Sequence, residues 1–125
     1  MSETKRITPE EVLAAYAATG LKPKQCEWAW EDINGVRGAC GLGAIYSNQF
    51  ENGFVELINP TISEFDLVGD SLGLSQAYVN GFVYGFDGHL SLPEIPSEKR
   101  EETERGFADG KAAWEAVKHL AVNAE

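Results

Sequence analysis

The chain has 125 residues, 43% of them hydrophobic and 24% charged, which is enough apolar side chain for one core and too little charge for a disordered polymer. Twenty Asp and Glu stand against ten Lys and Arg, a formal net charge of -10, so neither nucleic acid nor an anionic membrane surface is an expected partner. The longest stretch without Asp, Glu, Lys or Arg, Ser71 to Phe86, is shorter than a bilayer span and carries Gly, Ser, Gln and Asn.

The first ten residues lack the apolar run of a secretory signal, so a cytoplasmic location is expected, with residues 1–7 flexible. Thr8-Pro9-Glu10-Glu11 reads as a helix start, with Thr8 as cap, Pro9 at the first helical position and Glu11 completing a capping box. Val12, Leu13, Tyr16 and Ala17 then recur at helical spacing up to Gly20, which predicts a helix over 9–19. After Pro23, Cys26, Trp28 and Trp30 alternate with Glu27, Ala29 and Glu31, the pattern of a half-buried strand. Asn34-Gly35 follows as a two-residue hairpin turn, which would set Ile33 opposite Val36, Trp30 opposite Ala39 and Trp28 opposite Gly41.

The small apolar residues after Cys40 predict a short helix over about 40–48, and Phe50 to Ile58 reads as a strand or a loop. Asn59-Pro60 resets the chain before a helix whose face carries Ile62, Phe65, Val68 and Leu72 and which Gly73 ends. Ser75 caps the next helix, about 76–87, where Tyr78, Val79, Phe82, Val83, Tyr84 and Phe86 surround the axis, so that most of its sides should be buried. Leu92 to Ser97, with two prolines, is a loop. A last helix over 97–121 would take Ser97 as cap and set Phe107, Trp114, Val117 and Ala121 on one face.

Gly81-Phe82-Val83-Tyr84-Gly85 and Gly106-Phe107-Ala108-Asp109-Gly110 share the pattern G-F-x-x-G. Each interior helical glycine costs about 1 kcal/mol relative to alanine. Four of them predict two facing surfaces on which the helices cross closely. The fold class expected is therefore mainly α (α+β): one domain of about five helices with a small β-hairpin near residues 25–40.

Chemistry is less legible. Cys40, at a helix amino terminus, is the candidate nucleophile, with His89 or His119 as base and Asp87 or Glu115 as orienting acid. The flanking Ala39 and Gly41-Leu42-Gly43 match no thiol-enzyme pattern, and a buried core thiol is the favoured reading for Cys40. Two cysteines so far apart in a reducing compartment favour free thiols over a bridge. Gly35, Gly38, Gly41 and Gly43 lack the order of a phosphate loop, no ligand spacing indicates a metal, and no cofactor is implied. Trp28, Trp30, Tyr78 and Tyr84 are either core or the lining of an aromatic pocket.

The charge distribution is more specific. Residues 1–24 carry three acids and four bases, residues 25–96 ten acids and only Arg37, and residues 97–125 seven acids and five bases. In the last segment Glu98, Glu101, Glu102 and Glu104 alternate with Lys99, Arg100 and Arg105 as helix-face pairs do. Two functions from different classes follow as expectations. One is a non-catalytic interaction or regulatory protein presenting an acidic, aromatic surface, with Trp28, Trp30, Glu31 and Asp32 as binding residues, to a basic protein partner, as a mimic of nucleic acid would. The other is a small enzyme or ligand-binding protein using Cys40 or an aromatic pocket. Homodimerisation is expected on general grounds alone, and solubility is the plain alternative reason for the charge.

Overall fold

In the computed structural model, which describes residues 6–25, 28–58, 64–92 and 94–120, the first helix, α1 (Pro9–Thr19), begins with the predicted capping box. The Thr8 hydroxyl accepts from the Glu11 amide at 3.1 Å, and the Glu11 carboxylate accepts from the Thr8 amide at 2.9 Å. Gly20 ends the helix with φ 76°, the left-handed conformation glycine adopts without penalty. The buried face is Val12, Ala15 and Tyr16, whereas Leu13 and Ala17 are exposed. Positions three and four beyond Val12 share its face, and Leu13 lies about 100° round the axis. The Tyr16 hydroxyl donates to the Ala39 carbonyl at 2.5 Å and ties α1 to the sheet.

That sheet has three short strands, β1 (Lys22–Pro23), β2 (Trp30–Glu31) and β3 (Arg37–Ala39), in the order β1-β3-β2. The hairpin is present, but one residue out of the predicted register: Trp30 pairs with Gly38 and Glu31 with Arg37. The cause is Asp32. Its carboxylate accepts from the amides of Asn34 at 2.8 Å and Val36 at 2.9 Å, and Gly35 takes φ 84°, so three residues rather than two make the loop. Gly38 thus replaces Ala39 as the small partner beneath the Trp30 ring, where a Cβ would stand 3.0 Å from the ring. Trp28 lies outside the strand, and its expected partner Gly41 instead opens α2, against the rings of Phe82 and Phe86. A parallel partner, β1, which pattern alone does not reveal, pairs Lys22 with Gly38 and Pro23 with Ala39.

Helix α2 (Gly41–Gln49) follows, then α3 (Gly53–Ile58) where a strand or loop was expected. Gly53 and Leu57, four apart, are its buried positions, so helical spacing decides the element over the period-two run Phe54, Glu56, Ile58. Helix α4 (Glu64–Leu72) buries Val68 and Leu72 and ends at Gly73, φ 74°; Ile62 lies outside the described residues. Ser75 caps α5 (Gln76–Phe86), its hydroxyl accepting from the Tyr78 amide at 3.1 Å. Helix α6 (Ser97–Val117) runs into a 3₁₀ turn, Lys118–Leu120. Its cap position is Pro96, not Ser97, and no side chain bonds the free amides there. The described residues therefore form six α-helices, where about five are expected, with a small three-stranded sheet, in one mainly α domain.

Helix α5 sits at the centre. Tyr78, Val79, Phe82 and Phe86 are fully enclosed, and α6 crosses it along Thr103, Gly106, Gly110, Ala113 and Val117, a stripe of small residues flanked by the half-buried Phe107 and Trp114. The two G-F-x-x-G boxes face each other. A Cβ on Gly81 would stand 2.9 Å from the Phe107 nitrogen, and one on Gly106 2.9 Å from the Phe82 nitrogen. A Cβ on Gly85 would stand 2.8 Å from the Lys111 nitrogen, and one on Gly110 2.8 Å from the Phe86 nitrogen, each closer still to a carbonyl oxygen of the opposite helix. Backbone touches backbone, which is what offsets the propensity cost of four helical glycines.

The segment expected to be flexible, residues 1–7, includes two that are anchored on this pair. Ile7 is buried, and its amide donates to the Tyr78 hydroxyl at 2.8 Å. That hydroxyl donates in turn to Asp109 at 2.5 Å, and Asp109 receives both Nε and Nη2 of Arg6, at 3.0 and 2.7 Å.

Candidate functional site

Cys40 occupies the cap position of α2, yet it is a core residue. Burial pushes its thiol up to about 12; the Gly43 amide opposes it, the Asp87 carboxylate adds a lesser push upward, and the Leu42 amide a lesser pull down. At neutral pH it is a protonated, free thiol. His89 lies exposed beyond α5 with its ring 4.6 Å from that of Tyr84, and His119 is exposed in the terminal 3₁₀ turn. Among the described residues no hydrogen bond joins either imidazole to the thiol. Cys26 lies outside the described residues.

Trp28, Trp30, Glu31 and Asp32 gather at the sheet, each with a local task. The Trp30 ring packs against Gly38, and the Lys24 ammonium lies over the ring, 5.0 Å from its centre. Glu31 pairs with Arg37 Nε at 3.2 Å across the hairpin, and Asp32 holds the loop. Trp28 is half-buried against the core, and its carbonyl passes so close to Gly43 that no Cβ fits between them. Of the tyrosines, Tyr78 is core. Tyr84 lines a groove of about 430 Å³ between α5 and the start of α6, with Gln76, Asn80 and Tyr84 successive along one stripe of α5.

The acids of the central segment lie mainly elsewhere. Between Arg37 and Lys99 the chain has no Lys or Arg, and this stretch folds into α2 to α5. Glu51 just before α3, Glu56 on it, and Asp66 and Asp70 on α4 are all exposed. Each of the two helices packs on α2 and sends one side chain to its Tyr46 hydroxyl, which donates to Glu56 at 2.5 Å and also hydrogen-bonds the side chain of Ser71, the neighbour of Asp70. Burial, then the Glu56 carboxylate, raise the Tyr46 phenol above its ordinary value. Glu51, Asp66 and Asp70 make no ion pair among the described residues, and Val55 and Ile58 of α3 are 57% and 39% exposed.

On α6 Glu101 and Glu102 pair with Arg105, and Glu115 with Lys118, while the exposed Glu98 and Glu104 make no ion pair among the described residues. The sign that marks the α3–α4 surface in the sequence is thus not a cluster of acids but the run from residue 38 to residue 98 without a base. Among the described residues no group of three or more His, Cys, Asp or Glu is arranged to hold a metal ion, and no helix is long and apolar enough to cross a membrane. What the fold defines is a mainly α domain with a small three-stranded sheet. Comparison with family models, with curated proteins and with solved structures returned no match.

Proposed function

We propose that the protein is a non-catalytic interaction or regulatory protein that binds a basic protein partner through the α3–α4 surface. The observation that supports this reading is the set of exposed acids that make no ion pair among the described residues, Glu51 just before α3 and Asp66 and Asp70 on α4, together with the exposed Val55 and Ile58 of α3. Unpaired carboxylates attract a cationic surface over a distance of about a Debye length, roughly 10 Å at 0.1 M salt. The apolar side chains then supply short-range burial. Like charge opposes the use of this face between two copies of the chain. The aromatic and acidic residues at the sheet, Trp28, Trp30, Glu31 and Asp32, are occupied by intramolecular partners and contribute less to this reading.

The test is a titration of the isotope-labelled protein with a Lys/Arg-rich peptide, followed by amide NMR shifts at about 0.05 M and about 0.5 M salt. Shifts gathered on α3 and α4 that fade at high salt are expected. Shifts spread evenly over the acids of α6 as well, or no shifts, would overturn the reading.

A further inference from the structure

The parallel pairing of β1 with β3 opens a cleft of about 530 Å³ between the end of α1, the hairpin loop, α2 and α3. Its walls invert the charge of the molecule. In a chain of net charge -10 the lining contains no Asp or Glu among the described residues, and it includes Lys22 and Arg37, the latter being the only Lys or Arg between residues 25 and 96. Lys22 makes no ion pair among the described residues. Arg37 spends one nitrogen, Nε, on Glu31, while its terminal Nη1 and Nη2 make no hydrogen bond there, and its guanidinium is stacked 4.6 Å over the Phe54 ring, which fixes the plane of the fork. The third donor is Ser47, which also lines the cleft: its hydroxyl has no hydrogen-bond partner among the described residues and, shielded from solvent in its present rotamer, reaches a bound acceptor by turning about χ1. An unpaired buried hydroxyl is uncommon in folded proteins and marks a group that a bound acceptor would satisfy. Leu21, Val36 and Phe54 supply an apolar wall. Gly20 and Gly35, both left-handed and with open space where a Cβ would be, keep the rim clear.

We propose that this cleft binds a small organic oxyanion, with a carboxylate or phosphate head held by Lys22, the Arg37 fork and the Ser47 hydroxyl, and a flat apolar body against Phe54 and Val36. The volume is within the range of small-molecule sites, and bidentate recognition of an oxyanion is what a stacked arginine fork provides. This site is separate from the α3–α4 acids and stands whether or not they bind a basic protein.

The experiment is a calorimetric and amide-NMR titration of the full chain with benzoate, with phenyl phosphate, and with benzyl alcohol as the neutral analogue. Saturable binding of at least one anion is expected, with shifts at Leu21, Gly35 to Arg37 and Ser47 and none from the alcohol; whichever anion binds more tightly identifies the head group. Lys22→Met and Ser47→Ala, neither of which removes a contact that holds the fold, should each weaken binding about tenfold, the worth of one charge-assisted hydrogen bond. Binding of neither anion, equal binding of the alcohol, or unchanged affinity in both variants would overturn the proposal.

Discussion

Gly85→Ala sets two effects of opposite sign against each other. In an unconstrained helix interior, glycine to alanine stabilises by about 1 kcal/mol. At Gly85 the new Cβ would stand 2.8 Å from the Lys111 nitrogen and closer still to the Phe107 carbonyl oxygen, and ordinary contact begins at 3.4 Å, so α5 and α6 must separate by more than 0.6 Å at that point. The opposing atoms are backbone and cannot swing aside as a side chain would. The cost therefore belongs at the upper end of overpacking penalties, about 3 kcal/mol, and the net loss after the propensity gain is about 2 kcal/mol. For a domain of this size that lowers the melting temperature by about 8 °C. Gly110→Ala, facing the Phe86 nitrogen at the same 2.8 Å, should behave alike, while Ala112→Leu on the exposed side of α6 should stay within about 0.5 kcal/mol of the parent. Thermal unfolding followed by circular dichroism decides between the two effects: unchanged or raised melting temperatures for both alanine variants would refute the backbone-to-backbone crossing.

Tyr78→Phe should cost about 1–3 kcal/mol in urea unfolding, because it leaves the buried Ile7 amide without an acceptor; an unchanged midpoint would mean that the anchored N-terminal segment contributes nothing. A brief iodoacetamide pulse on the native protein near pH 7.5, read peptide by peptide in a mass spectrometer, should leave Cys40 unlabelled, and rapid native labelling at Cys40 would contradict its burial. Alkaline pH should destabilise the fold. Cys40 and the phenols of Tyr16 and Tyr78 keep their protons when folded beyond the ordinary values of 9.0 and 10.0, so the unfolded chain releases protons first. Stability is complete below those values and falls as pH rises through them. Urea midpoints measured from about pH 8 to pH 11 should decline, with Cys40→Ala removing the part that begins near pH 9; a flat profile would refute the assignment.

Local signals carried much of the fold. The capping box at Thr8, the left-handed stops at Gly20 and Gly73 and the cap at Ser75 each act within four residues, and the structure has them where the chain order places them. The paired glycine boxes even disclosed one tertiary contact, because a helical glycine without a packing partner is a net loss. What eluded the pattern depended on competition or on distance. Asp32 captured two amides and lengthened the hairpin loop by a residue, which moved the register. Leu57, against the core, makes a helix of a segment that reads as a strand or a loop. The β1–β3 pairing joins residues about sixteen apart in the chain, and no periodicity within either strand announces it. The candidate sites divide in the same way. The charge imbalance of residues 25–96 was legible, but Glu31 and Asp32 were singled out for their place beside tryptophans, and the structure gives both of them internal partners. The cationic cleft was invisible because Lys22, Arg37 and Ser47 come together only through the sheet and α2.

The functional account turns on where the acids are, not on how many there are. The measurement that tests it most directly compares two triple variants with the same net charge: Glu51→Gln, Asp66→Asn, Asp70→Asn on the α3–α4 surface, and Glu98→Gln, Glu101→Gln, Glu104→Gln on α6. Titrated calorimetrically with the same Lys/Arg-rich peptide at low salt, the first should bind about tenfold more weakly than the parent, as three exposed charge contacts would together provide, and the second should bind nearly as the parent does. Equal losses in the two variants would show that net charge alone attracts the peptide and would contradict the assignment of the α3–α4 surface.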